Sequence, residues 1–168
     1  MEVNIKYTIC FIRKGHEILL LNRQKSPWMG TWNGVGGKIE AGESPMDCVI
    51  REVEEETGIH ALDVKFKGVV SWIVDNKRIG GMYVFVADID HYEFPTPRST
   101  REGILDWKDF AWIVHEENVG IANLHYYLQR IFQEDMVYDH QFVYHNREVT
   151  GFNSVPYIQS TFETSISS

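Results

Sequence analysis

The sequence predicts one domain of the α/β class, and three observations carry that prediction. The chain has 168 residues, the size of one ordinary domain. Hydrophobic residues make up 43% of it and charged residues 24%, enough apolar material to offset chain entropy and to rule out wholesale disorder. Runs rich in β-branched and aromatic residues alternate with two stretches of helical spacing. The domain is expected over residues 1–159, and the Ser- and Thr-dominated tail, 160–168, is expected to fray.

Residues 6–12 and 17–23 are apolar and β-prone, and Lys14-Gly15 between them supplies turn chemistry, so the chain opens on a hairpin. Residues 24–32 break the pattern with Pro27 and Gly30; Trp28 there reads either as a pocket lid or as a packed loop residue. A glycine-dense stretch follows, Gly34-Val35-Gly36-Gly37 and then Gly42, where backbone must bend sharply or approach a ligand closely. Ser44 offers a hydroxyl cap, Pro45 suits the first helical position, Asp47 lies in the first turn and Gly58 supplies a stop, which together predict a helix over residues 45–57. Strands are expected over 64–74 and 82–89, paired as a hairpin through Asp75-Asn76-Lys77. Residues 91–101, with Pro95 and Pro97, read as a loop, 104–113 as short strands, and 116–132 as a helix. A last hairpin joins 136–144 to 148–152 through His145-Asn146.

Sixteen Lys and Arg against 24 Asp and Glu give a formal net charge of −8, which argues against a broad grip on duplex DNA or on an anionic membrane. A small anionic substrate then requires local charge, or a bound cation, that reverses the field at the site. Cys10 and Cys48 have no zinc-ligand spacing and no paired framework. The start of the chain lacks a basic region followed by an apolar core, and the longest aliphatic run is Ile18-Leu19-Leu20-Leu21, far short of the ~20 residues a membrane span needs. A reducing cytoplasm is the expected setting.

Two faces of the predicted helix disagree. At about 100° per residue, Met46, Val49, Ile50 and Val53 form one stripe, the face that should bury. Glu52, Glu55 and Glu56 fall together on a neighbouring face, where like charges at i, i+3 and i+4 destabilise a helix. Arg51 can pair with Glu55 one turn on but leaves Glu52 and Glu56 unaccounted for. An acidic solvated face is the plain reading. The glycine-rich loop just upstream favours another, because crowded carboxylates beside free backbone groups suit a hard divalent cation and a phosphate together.

The spacing is more specific than that. Gly37, five residues, Glu43, seven residues and then Arg51-Glu52-Val53-Glu54-Glu55-Glu56-Thr57-Gly58-Ile59 resembles the complete Nudix box, with every fixed position present. The resemblance covers roughly residues 6–132 and implies an α/β/α sandwich with a mixed, partly barrel-like β-sheet. It implies that Glu52, Glu55 and Glu56 bind Mg²⁺ or Mn²⁺ with the carbonyl of Gly36, that Arg51 orients the acidic residues, and that Glu43 supports the site. Glu52 is the leading candidate for activating the attacking water, and Glu102 for an additional distal carboxylate, against an ordinary surface charge. A bound cation neutralises phosphate charge and lowers the pKa of water, so no covalent enzyme intermediate is needed. Consistently, the chain has no nucleophile elbow, P-loop or His-x-x-x-His pair.

Trp32-Asn33-Gly34-Val35-Gly36-Gly37-Lys38 is similar to the oxidised-purine nucleoside triphosphatases, which cut 8-oxo-dGTP or related triphosphates to monophosphate and pyrophosphate. That similarity implies that Asn33 hydrogen-bonds the purine, Thr8 and Trp72 lie in the base pocket, and Arg23 and Lys38 belong to the substrate site. Trp72 reads equally as core, and Asn33 as a turn cap. Where some members of the subgroup place acidic base readers, residues 119–123 have none, and Asn123 is the candidate replacement, since an amide offers both donor and acceptor. The expected function is Mg²⁺-dependent hydrolysis of an oxidised-purine nucleoside triphosphate. The alternatives are another diphosphate derivative such as ADP-ribose, a dinucleoside polyphosphate or a capped RNA end, and a non-catalytic nucleotide sensor, which the intact carboxylate set disfavours.

Overall fold

Strand β1 (Tyr7–Lys14) turns at Gly15 into β2 (Glu17–Arg23), and the expected hairpin forms. Its strands part early, however: only residues 12–14 pair with 17–19. Strands β3 (Trp32–Asn33) and β4 (Val35–Lys38) enter the gap, β3 pairing with β2 and β4 with residues 7–10 of β1. Gly34 lies between them because a Cβ there would stand 2.7 Å from the Cys10 carbonyl oxygen and 2.9 Å from the Ile9 and Phe11 side chains. The glycine-dense stretch therefore serves close approach to its own sheet as well as to a site. This computed structural model describes residues 4–25 and 29–158; Trp28 and the tail from residue 160 lie outside the described residues.

Helix α1 (Pro45–Thr57) begins and ends where the sequence predicts: Ser44 Oγ accepts from the Asp47 N–H at 3.1 Å, and Gly58, at φ 78°, donates its N–H to the Glu54 carbonyl. A capping hydroxyl of this kind contributes about 1 kcal/mol. Strands β5 (Lys65–Val74) and β6 (Lys77–Asp88) form the second hairpin, with Asp75 and Asn76 both at positive φ in its turn. The short β7 (Arg98–Ser99) lies within the expected loop and pairs with β8 (Gly103–Asp109). Strands β9 (Tyr138–His145) and β10 (Glu148–Pro156) make the closing hairpin, the latter longer than predicted.

Two expectations fail in the third quarter of the chain. Residues 104–113 are one strand, β8, followed by the short helix α2 (Phe110–Ile113), which Asp109 caps by accepting from the Ala111 N–H. Residues 116–132 are not one helix: a 3₁₀ turn (Leu124–Tyr126) and α3 (Leu128–Gln133) occupy only its end. Upstream, Trp32 donates to the Gly120 carbonyl and accepts from the Ala122 N–H, so these backbone groups bond to β3 rather than to a helix. Asn123 then sits at φ 62°, which no α-helix would give it.

The ten strands form one sheet in the order β10-β9-β5-β6-β1-β2-β8-β7, with β3 and β4 branching from β2 and β1. β1 with β6 and β5 with β9 are parallel, so the sheet is mixed. No pairing joins its two ends among the described residues, and the architecture is an open sandwich rather than a closed barrel. Alternate residues of β1 serve two cores: Cys10 and Ile12 pack with Val49 and Val53 of α1, while Ile9 and Phe11 pack with Leu124, Leu128 and Ile131. Burial on both faces explains why these strands read as continuous apolar runs. No helix among the described residues is long and apolar enough to cross a membrane.

Candidate active site

The predicted stripe of α1 faces the sheet, with Val49 and Val53 fully buried and Met46 and Ile50 partly so. That orientation carries the neighbouring acidic face toward β4. Arg51 organises it. Its Nε and Nη2 donate to the two carboxylate oxygens of Glu43 at 2.7 and 2.9 Å, Nη1 reaches Glu52 at 2.9 Å and Glu55 at 3.3 Å, and Nη2 also reaches the Lys38 carbonyl at 3.2 Å. Fork-shaped pairing of this kind is the strong form of an ion pair. The Arg51 guanidinium holds the Glu43 carboxyl down at about 2.

Glu52 is packed against Gly37, where a Cβ would come within 2.3 Å of its carboxyl carbon, so glycine is needed to admit that carboxylate. Glu56 accepts from the Gly36 N–H at 3.3 Å. Burial pushes both carboxyls up, Glu56 to about 8, with Glu52 and Glu102 adding like-charge repulsion. Glu102 therefore stands within electrostatic reach of the pair, on a turn held by Thr100 Oγ1, which accepts from the N–H groups of Glu102 and Gly103. Glu55 is 59% exposed at its side chain and tied to Arg51. Among the described residues no three acidic, imidazole or thiol groups converge closely enough to hold one ion in this arrangement: Glu52 and Glu55 are turned to Arg51, and Glu56 to the Gly36 N–H.

Beside the acidic face opens a cavity of about 370 Å³. Of the predicted substrate residues, Thr8, Arg23, Asn33, Trp72 and Asn123 line it, as do Gly36 and Glu56. Lys38 does not: its side chain is exposed, and only its carbonyl takes part, with Arg51. The Thr8 hydroxyl is turned to the Gly37 carbonyl at 3.4 Å and the Cys48 sulfur at 3.3 Å, and the Asn33 Oδ1 accepts from the Gly34 N–H at 2.9 Å. Asn33 thus lines the cavity with its Oδ1 engaged by the neighbouring backbone. Trp72 likewise joins two roles, packing against the second core while facing the cavity.

The sequence from residue 5 to residue 134 matches the model of the NUDIX domain. The chain belongs to the Nudix family. The chain is 38% identical over 108 residues to the uncharacterized Nudix hydrolase YvcI of Bacillus subtilis, covering 62% of this chain and 65% of the relative. It is 38% identical over 99 residues to the NAD-capped RNA hydrolase NudC of Vibrio parahaemolyticus, covering 59% of this chain and 36% of NudC. Mouse oxidized purine nucleoside triphosphate hydrolase is 29% identical over 108 residues, 64% of this chain and 67% of that protein. The crystal structure of the mutator MutT protein from Bacillus halodurans superposes with a TM-score of 0.68 at 26% identity, covering 88% of this chain and 95% of that one. The chain thus spans about two thirds of YvcI and about a third of NudC.

The donor set suits the divalent cation that Nudix hydrolases generally use. Glu52 and Glu56 are partly buried carboxylates, and Glu52 repels Glu56; paired oxygen anions of this kind are what a hard cation neutralises. Sequence reasoning missed Tyr7, Met82, Tyr127, Phe142 and Tyr144 in the cavity wall. Phe142 and Tyr144 alternate on β9, a signal of a shared face. What brings them to Trp72 is the parallel pairing of β9 with β5, where Trp72 registers with Phe142.

Proposed function

We propose that this Nudix hydrolase cleaves an oxidised-purine nucleoside triphosphate, such as 8-oxo-dGTP, with water to the monophosphate and pyrophosphate. The observation that carries this reading is a single cavity lined by Asn33, Trp72 and Asn123 that also includes Arg23 and Glu56. Glu52, Glu55, Glu56 and the Gly36 carbonyl would hold Mg²⁺ or Mn²⁺, with Glu102 as the distal carboxylate. The bound cation supplies charge neutralisation and water activation near neutral pH. Glu52 takes the proton of the attacking water, Arg51 with Glu43 keeps Glu52 in place, and Arg23 faces the phosphates. The named activity of the mouse relative supports this substrate class, and the free, buried Cys10 and Cys48 support a reducing cytoplasm.

The similarity to NudC favours a second reading, hydrolysis of a capped RNA end. The test is a substrate panel with Mg²⁺: 8-oxo-dGTP, the ordinary dNTPs, ADP-ribose, a dinucleoside polyphosphate and NAD-capped RNA, with products resolved. At least tenfold higher kcat/KM for 8-oxo-dGTP, with pyrophosphate released, is expected. Faster turnover of capped RNA or ADP-ribose would replace this reading, and tight binding without turnover of any member would make the chain a sensor.

Asn33→Ala is expected to lower the preference for the oxidised purine about tenfold, or about 1.4 kcal/mol, by removing a polar contact to the base. The Mg²⁺ concentration for half-maximal rate should not move. Equal losses across unrelated bases would count against Asn33 as a base reader.

A further inference from the structure

The cavity is lined by few charged groups and several neutral polar ones. Arg23 and Glu56 are the only charged residues lining it among the described residues, and Glu56 is fixed to the Gly36 N–H beside α1. Its neutral polar lining includes Asn123, Tyr127 and Tyr144. Asn123 occupies the position that starts the 3₁₀ turn, at φ 62°, yet its side chain makes no capping bond there. An asparagine at a helix start ordinarily turns its oxygen back to the first free N–H groups. Here its Nδ2 donates instead to the Tyr144 hydroxyl at 3.4 Å, across 21 residues of sequence.

That bond commits the amide nitrogen and leaves Oδ1 without a partner among the described residues. Asn33 shows the opposite commitment, since its Oδ1 accepts from the Gly34 N–H and its Nδ2 is the end left over. Asn33 cannot exchange donor for acceptor without losing its bond from the Gly34 N–H, whereas Asn123 presents Oδ1 while its Nδ2 donates to Tyr144. Tyr127 adds a buried hydroxyl with no hydrogen-bond partner among the described residues. A polar wall left incompletely bonded calls for an explanation, and a ligand edge provides one.

We propose that Tyr144 is a positioning residue for base selection. Its hydroxyl holds the Asn123 carboxamide in the wall, so that the cavity presents one fixed donor, from Asn33, and beside it an amide that offers its Oδ1 as acceptor while its Nδ2 is bonded to Tyr144, to an uncharged heterocycle. This inference rests on the reading of the cavity as a base pocket. The ligand class it favours is a lactam edge, whose carbonyl accepts and whose ring N–H donates, as in an oxopurine. No carboxylate takes part in reading the base.

The test measures equilibrium binding of nucleoside monophosphates without metal, so that it is independent of turnover and of which bond the enzyme cleaves. Wild type, Tyr144→Phe, Asn123→Gly and the double variant are titrated with 8-oxo-dGMP, dGMP, dAMP and dCMP by tryptophan fluorescence. Glycine is chosen at 123 because it accepts positive φ without strain. Wild type is expected to bind the oxopurines at least tenfold tighter than dAMP or dCMP. Tyr144→Phe and Asn123→Gly should each shrink that ratio to about threefold, and the double variant should shrink it no further, since both act through one bond. Equal weakening of all four ligands by Tyr144→Phe, an unchanged ratio, or multiplying effects in the double variant would overturn the proposal, as would a wild type that does not discriminate. Preference for capped RNA in the substrate panel would instead overturn the substrate reading while leaving the base ratios to decide the role of Tyr144.

Discussion

Glu52→Gln is expected to lower kcat about a thousandfold at saturating Mg²⁺, or roughly 4 kcal/mol of transition-state stabilisation, while the metal-free protein unfolds at the same temperature or slightly higher. The two halves of this expectation have one cause. Glu52 is a partly buried carboxylate packed against Gly37 and repelled by its neighbours, held in place by Arg51 at 2.9 Å. Glutamine keeps the shape and can accept the same bond from Arg51, but it removes the charge whose burial costs stability. The same change should abolish most of the Mg²⁺-dependent rise in unfolding temperature, because binding stabilises the folded state only in proportion to its affinity. Thermal unfolding with and without Mg²⁺, beside steady-state kinetics, measures both. Near-normal turnover, or an undiminished metal-induced shift, would remove Glu52 from the proposed centre.

Local features of this fold were legible in the sequence, and non-local ones were not. The Ser44 cap, Pro45 and the Gly58 stop act within one helix, so α1 and its acidic face could be placed to the residue. The turn at Asp75-Asn76 likewise carries its own positive-φ chemistry, while the last turn falls one residue later than expected, on Asn146-Arg147. The segment from 116 to 132 misled because its spacing competes with partners distant in sequence: Gly120 and Ala122 bond to Trp32, and Asn123 takes a left-handed backbone. The same limit applies to the site. Thr8, Asn33 and Glu56 could be named from motif positions, but Tyr144 enters the wall only through a parallel β5–β9 pairing that no local pattern encodes. Lys38 shows the converse, a motif residue whose backbone rather than side chain meets the cluster.

Arg51→Ala tests whether the acidic face is held together by one cation of the protein's own. Arg51 bridges Glu43, Glu52 and Glu55, and its removal leaves the first two as poorly solvated carboxylates without a cation, Glu43 keeping only its bond from the Glu40 N–H. Breaking a partly buried ion pair from one side costs about 3–5 kcal/mol, toward the lower end here because Glu55 is exposed. Urea denaturation at pH 7 should show a loss of about 3 kcal/mol, and Arg51→Lys should recover less than half of it, since an ammonium cannot reproduce the fork on Glu43. The pH dependence carries a sign. Glu43 titrates at about 2 in the folded protein against an ordinary 4.5, so the stability it contributes is complete above pH 4.5 and is lost as pH falls toward 2. The gap between wild type and Arg51→Ala should therefore narrow when the measurement is repeated at pH 3. A gap that stays constant would mean that Arg51 stabilises α1 through packing of its stem, and that the carboxylates of the box are positioned by the backbone around Gly36 and Gly37 instead.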